Sequence, residues 1–472
     1  MTTEQPNIID GVIIGGGISG LALAHWLGLH DQPGSWELWE ATDRLGGTTG
    51  TDRECGYSVD RGPNGFLDRE PLTLQLVDEI GLRPELEPAN DKSNNRFIAK
   101  NGVLHPVPFS PPAMLRTGLL DFGEKLRIFA EPFIKARRDD SDESVFDFAA
   151  RRIGKGAAET FVEPMVSGVY GGVARDLSLP ACFPIMREME VQYGGLVKAM
   201  VSKMREKRRK QKASGEKKRG GGPAGPGGHL TSFKTGLDVL TDRLAEQHQS
   251  IIHTNRAVAR VAYHTDGYWT VTDATGREVR ATNVIVACPT FVAAQFLESF
   301  DHELASAFAD IPYAPIIVVA TGHRREDIKH SLDGFGFLIP RTENIRTLGS
   351  IWTSSIFAER APEGHVQFRS MLGGAGDPSV MELTDDQLWD SIRRELGPLV
   401  GITTDPVFTK IYRWERGIPQ FTVGHRERRA RIEQLAARYP GLHMVGNAYY
   451  GVGLNDCVKM AKRVAENIKI QA

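Results

Sequence analysis

The sequence predicts a mixed α/β and α+β protein: a discontinuous Rossmann-type domain, a mixed α/β substrate domain and a helical insertion. Three observations predict it. A strand, a glycine-rich turn and a helix open the 472-residue chain, a second α/β stretch lies past its middle, and a third strand with a glycine-rich turn closes it. Three separated α/β pieces imply one nucleotide-binding domain with insertions between them.

The elements follow in order. Asp10-Gly-Val-Ile-Ile14 is a short apolar run, the pattern of a parallel strand buried on both faces. Leu21–Leu29 has helical composition, and Trp36-Glu-Leu-Trp-Glu40 reads as the second strand of a βαβ unit. Leu237–His248 reads as a helix, Ser250–Tyr263, Trp269–Thr272 and Ala281–Ala287 as strands, Leu442–Gly446 as a strand and Asp456–Ile470 as a helix. The expected nucleotide-binding domain is therefore 1–65, 229–299 and 433–472. The substrate domain takes 66–90 and 300–432, and 91–204 is the helical insertion. Residues 205–228 are basic and then rich in Gly and Pro; with almost no apolar side chain they are expected to be a disordered loop.

Composition narrows the function. Apolar and charged fractions of 41% and 25% suit a globular protein, and a net charge of −2 argues against nucleic acid as partner. Cys55, Cys182, Cys288 and Cys457 are scattered without a C-x-x-C pair, so neither structural zinc nor a disulfide framework is expected. No metal-spaced His cluster and no Ser/His/Asp arrangement appears. No secretory signal precedes the first strand, and no apolar run reaches the ~18–20 residues that span a bilayer. A cytoplasmic protein is expected, peripheral at most at the inner membrane face, and a homodimer is left open.

Gly15-Gly16-Gly17-Ile18-Ser19-Gly20 stands where a dinucleotide fingerprint must stand. Gly15 allows the tight turn, Gly17 the approach of a pyrophosphate, and Gly20 close helix–sheet packing. The helix N-terminus adds free N–H groups and partial positive charge. Glu40, twenty residues after Gly20, can accept bonds from ribose hydroxyls.

Glu40 followed by Arg44-Leu-Gly46-Gly47 resembles the flavin-binding amine oxidase and desaturase superfamily, and Gly446–Asp456, with Gly451 and Gly453, resembles its C-terminal half. Further stretches are similar to one family within it, the oxygen-dependent, FAD-containing protoporphyrinogen oxidases: Val59–Pro63, Asn95–Ile98 with Leu104–Pro108, Glu131–Phe133, Phe161–Pro184, Gly334–Pro340, Met371–Gly374 and Asn455–Cys457. The resemblance implies non-covalent FAD held by residues 15–20, Glu40, Arg44, Gly46, Gly47, Gly62, Pro63, Val258, Gly446, Gly451, Gly453, Leu454 and Asn455. It implies that Arg96 pairs with a propionate, that Leu338 and Ile351 sandwich a pyrrole ring, and that Gly168 and Met371 lie at the macrocycle. Flavin N5 would take hydride, dioxygen would reoxidise the flavin to give peroxide, and no side chain is identified as catalytic. Protoporphyrinogen IX is the expected substrate, with coproporphyrinogen III oxidation, or an amine oxidase or carotenoid desaturase, as alternatives. Thr48 and Asn447 depart from the amine oxidase pattern.

Lys125–Arg138 mixes Leu126, Ile128, Phe129, Phe133 and Ile134 with five basic residues. It is expected either to pack on the protein's own core or, as an amphipathic basic helix, to lie weakly on an anionic membrane surface.

Overall fold

The structure, a computed structural model, describes residues 8–28, 35–214 and 228–471. Its first sheet contains β1 (Ile8–Ile14), β2 (Trp36–Trp39), β10 (Ile252–His253), β11 (Val258–Tyr263), β12 (Trp269–Asp273), β13 (Glu278–Val286) and β19 (Leu442–Met444). The order is β10-β2-β1-β13-β12-β11. β13 is long enough to pair antiparallel with β12 over Glu278–Ala281 and parallel with β19 over Val284–Val286. β1 lies between β2 and β13, parallel to both, so its buried Val12, Ile13 and Ile14 face neighbours on each side. The helix Ile18–Leu27 that follows is buried at every residue except His25, because the last helix, Leu454–Gln471, packs along it. A helix apolar all round belongs inside.

The second sheet runs β18 (Phe408–Pro419), β14 (Tyr313–Arg324), β17 (His365–Gly373), β16 (Thr347–Trp352), β15 (Gly336–Leu338), β7 (Arg96–Lys100) and β8 (Val103–Pro106). Period-2 alternation gives it two characters. Phe97, Phe337, Trp352, Phe368 and Leu372 form a buried core with the helix Asp385–Val400. The alternate residues face the rest of the molecule. A hairpin of β3 (Thr51–Glu54) and β4 (Tyr57–Asp60) and a small sheet of β5 (Phe66–Leu67), β9 (Leu230–Phe233) and β6 (Leu86–Pro88) complete the strands.

Four expectations need correction. Residues 96–106, assigned to the helical insertion, form β7 and β8 of the second sheet; β7 finds its partner in β15, some 240 residues away. β9, assigned with the nucleotide-binding piece, instead joins β5 and β6. The helix Leu196–Ser214 continues ten residues into the stretch expected to be disordered, as its Lys, Arg, Gln and Met favour until Gly215. Residues 215–227 of that stretch lie outside the described residues.

Lys125–Arg138 is not one helix. Phe122–Phe129 is helical, capped by an Asp121/Glu124 capping box, and a separate turn spans Glu131–Phe133 around Pro132. Its cations are used locally. Arg127 donates to the carbonyls of Arg151 and Arg152, and Arg137 pairs with Asp139 and Glu143. Buried Glu131 pairs with buried Arg152 and accepts from Leu196 N and Val197 N, so it also caps the helix that starts there. The expected packing on the core survives at Ile128; Phe122, Leu126, Phe129 and Phe133 are exposed.

Candidate cofactor and substrate site

The carboxyl ends of β1, β2 and β13 converge at Gly15, Glu40 and Ala287. Gly15 takes φ +116°, and a Cβ there would lie 2.9 Å from the Ala287 carbonyl carbon. A Cβ on Gly20 would strike the Gly15 carbonyl, so this glycine is required for packing. Gly17 differs: it caps the helix with no side-chain bond of its own, and its Cβ would meet only Gly47 Cα, at 4.0 Å. The space beside Gly17 belongs to a cavity of about 760 Å³. That volume suits a large cofactor, and the uncapped helix N-terminus on its wall suits a pyrophosphate.

Of the residues expected at the cofactor, Gly17, Ile18, Ser19, Glu40, Arg44, Gly46, Gly47 and Gly446 line this cavity. Glu40 accepts from Gly16 N at 2.9 Å through one oxygen and from Thr42 N and Oγ1 through the other. The oxygen that Gly16 N holds keeps a further lone pair, while the two Thr42 donors occupy the other. Arg44 folds the next turn by donating to the carbonyls of Leu45 and Gly47, while Gly46 N donates to Gly16 O at 2.8 Å. The two glycine-rich turns are thus tied together.

Gly16, Gly15 and Gly20 lie beneath the cradle. Gly62, Pro63, Val258, Gly451, Gly453, Leu454 and Asn455 are not on its lining. Gly62 packs against Thr48, which is. Leu454 is core, and Asn455 braces the last helix by accepting from Thr73 Oγ1 at 2.7 Å and donating to Leu67 O at 2.9 Å. Cys457, one turn further, reaches the cavity. Burial pushes the thiols of Cys288 and Cys457 up to about 12 and about 11, so both stay protonated and poorly nucleophilic at neutral pH.

The sequence reading missed Thr42, Thr48, Ala287, Cys288, Pro289, Tyr313, Trp414, Asn447 as a wall residue, and Tyr449. The rule that ligands of parallel sheets sit at carboxyl strand ends would have flagged Ala287-Cys288-Pro289. Nothing local in the sequence marks Tyr313 or Trp414, which arrive on the second sheet.

The second sheet's inward face carries the expected substrate residues. Register aligns Arg96, Gly336, Ile351 and Arg369 in one row across β7, β15, β16 and β17, and Ile98, Leu338, Gly349 and Met371 in the next. Gly336 and Gly349 bring no side chains to this face, so Arg96, Leu338, Ile351 and Met371 border a backbone-floored strip, a trough that Leu338 already covers over Gly349. A Cβ on Gly336 would strike the Ser350 carbonyl, and Gly336 holds φ +136°. The helix Glu163–Tyr170 lies over the trough, and a Cβ on Gly168 would come within 2.7 Å of Leu338 Cδ2. Arg96 is half-buried over the Phe335 ring at 5.2 Å, and desolvation lowers its guanidinium pKa from the ordinary arginine range. All five expected substrate residues therefore meet in one place.

Among the described residues no group of His, Cys, Asp or Glu could hold a metal, and no helix is long and apolar enough to cross a membrane.

Residues 18–469 match the family model of flavin-containing amine oxidoreductases. The chain is 30% identical to the coproporphyrinogen III oxidase of Bacillus subtilis over 96% of each chain. It is also 30% identical to the chloroplastic protoporphyrinogen oxidase 1 of Arabidopsis thaliana, over 97% of this chain and 87% of that one. A crystal structure from Exiguobacterium, provisionally named a protoporphyrinogen oxidase, superposes with a TM-score of 0.83 at 27% identity, covering 99% of this chain and all of the other. The protein belongs to the flavin-containing amine oxidoreductase family, in its porphyrinogen oxidase branch. It is a flavin-dependent oxidoreductase with FAD as cofactor, and the cradle fits: an uncapped helix N-terminus, a glycine whose Cβ would fill it, and an acidic strand end.

Proposed function

We propose that the protein oxidises protoporphyrinogen IX to protoporphyrin IX in tetrapyrrole synthesis, with dioxygen as electron acceptor. The carrying observation is the glycine-floored trough between Gly168, Leu338, Ile351 and Met371, edged by Arg96. A flat apolar ring would lie against Leu338 and Ile351, and a planar guanidinium grips a propionate with two bonds. FAD supplies the hydride acceptor. The protein's part is to hold the macrocycle flat, exclude water and orient one carboxylate edge. Complete conversion removes six electrons and six hydrogens, and three dioxygen molecules leave as three of hydrogen peroxide.

Coproporphyrinogen III is the second reading, favoured by the name of the Bacillus relative. Substrate-dependent bleaching of the flavin under nitrogen, run with each porphyrinogen and with a polyamine, separates the readings. Peroxide release in air at one equivalent per two electrons tests the acceptor. Bleaching by the polyamine alone would make the protein an amine oxidase.

A weak, reversible contact with anionic membrane is part of the proposal. It is supported by exposed Val197, Met200, Val201 and Met204 interleaved with exposed Lys198, Lys203 and Arg205 on one helix.

A further inference from the structure

Arg369 is a buried cation that the reading above does not use. It lies on β17 two residues before Met371 and directly across from Ile351 on β16, so it shares the trough's face of the sheet. Only 4% of it is exposed. Its Nη2 donates to the Gly62 carbonyl, and its Nε has no hydrogen-bond partner among the described residues. The preceding carbonyl, Arg61 O, accepts from Trp414 Nε1 at 3.1 Å. Two successive carbonyls of the Arg61–Pro63 turn are therefore fastened to the second sheet. The turn's other side reaches the cradle through one contact: Gly62 presses on Thr48, which lines the cradle together with Trp414.

Arg369 makes no ion pair among the described residues. Among the described residues no carboxylate lies within 4 Å of it. The carboxylate that acts on it electrostatically, Asp60, pairs with buried Arg360 at 3.4 Å and accepts from Thr51 Oγ1 and Leu237 N. Asp60 is taken up by Arg360, which Glu87 also faces, so Arg369 keeps its positive charge without an ion pair of its own, linked to the cradle wall through Gly62 and Thr48. A cation in a desolvated place acts over a longer range than in water.

We propose that Arg369 is a positioning residue that fixes the Arg61–Pro63 turn between cofactor and substrate and whose charge raises the electron affinity of the bound FAD. Reduction takes up two electrons and one proton and leaves one net negative charge on the flavin ring. A fixed cation nearby favours that form over the neutral oxidised one. The inference rests on the FAD site and holds for either porphyrinogen.

The test is the midpoint potential of FAD in the purified holoprotein, measured by dye-coupled reductive titration without any porphyrinogen. Arg369→Met, similar in length and uncharged, should weaken binding of reduced relative to oxidised FAD about tenfold, which lowers the potential by about 30 mV for two electrons. Arg369→Lys should restore most of that loss. An unchanged potential in the Met variant with full FAD occupancy, or equal losses in Met and Lys, would overturn the proposal. Asp60→Asn is the independent arm if the Met variant fails to hold FAD. It removes the offsetting negative charge and should shift the potential upward; no rise would equally overturn it. Failure of the porphyrinogen reading leaves these potentials untouched, so the two are separable.

Discussion

Gly168 and Leu338 touch across the trough so closely that a methyl group on Gly168 would sit 2.7 Å from the Leu338 side chain. The helix Glu163–Tyr170 and strand β15 can approach this way only with glycine at 168. Gly168→Val should push Leu338 out of place and raise KM for the porphyrinogen about tenfold, consistent with an overpacking cost of roughly 1–3 kcal/mol. Leu338→Ala opens a void instead and should also raise KM. Unchanged KM in both variants would remove this contact from the substrate site.

Two glycines of one motif should fail in different ways. Gly17→Val adds its side chain to open cavity, so the protein should fold with a normal far-ultraviolet spectrum yet purify colourless. Gly20→Ala collides with the Gly15 carbonyl inside the fold and should lower Tm or prevent folding. Yellow Gly17→Val protein would show that the pyrophosphate lies elsewhere.

The difference between these glycines also marks how far the sequence could be read. The fingerprint is local: a strand, a turn and a helix within twenty residues impose their own chemistry, and Glu40 follows at the expected distance. The trough is not local. Arg96 meets Gly336 and Ile351 through strand pairs that span some 240 residues, and no periodicity announces that pairing. Family resemblance supplied Arg96, Leu338 and Met371, whereas Arg369, two positions from Met371, carried no signal. The same limit explains Lys125–Arg138, where composition suggested one basic face and Pro132 with local carbonyl partners dispersed it. Tyr313 and Trp414 reach the cofactor cavity from the other sheet, which a reading along the chain cannot see.

Arg96→Ala should raise KM more than it lowers kcat, because a propionate clamp acts alike on ground and transition states. Loss of one charged contact costs about 1.5–3 kcal/mol, or roughly 10–150-fold in KM. Arg96→Lys should recover only part, since ammonium cannot grip with a fork. Identical kinetics in Arg96→Ala with both porphyrinogens would remove Arg96 from the site.

FAD retention should fail in mild acid. His425 is buried, stacks on Phe421 at 4.0 Å, and its Nε2 lies 3.3 Å from the carbonyl oxygen of Tyr449, a cavity residue. Burial holds its pKa down at about 4; Arg428 and Arg429 add to the lowering, and Tyr449 O and Asp142 oppose it. The unfolded chain binds this proton near pH 6.5 and the folded one near pH 4, so the associated stability is complete above 6.5 and is lost as pH falls through that window. The loss amounts to roughly 3 kcal/mol. Flavin fluorescence should show FAD release between pH 6.5 and 4, and His425→Phe should move it to lower pH. A release profile unmoved by that substitution would exclude His425 as its cause.

Vesicle flotation tests the membrane contact. The protein should co-float with anionic vesicles at low salt and release at high salt. Met200→Glu with Met204→Glu should abolish co-flotation while leaving kcat with dispersed substrate unchanged, because both side chains are exposed and neither lines the cradle. Absence of co-flotation by the unaltered protein at low salt would remove the membrane from the proposal.

The pairing of β13 with β1 on one side and β19 on the other has a biosynthetic consequence. The glycine-rich motif leaves the ribosome well before two strands of its sheet: β13 begins roughly 260 residues after β1 ends, and β19 roughly 430 after. β2 follows β1 at once, but at about 5–20 residues per second the other edge of β1 waits tens of seconds for β13. Free FAD in the cell therefore has no finished cradle to enter until translation nears residue 457. Nascent β1, with Val12, Ile13 and Ile14, is an obvious client for a chaperone during that interval, and flavin supply should influence yield only once Cys457 has emerged.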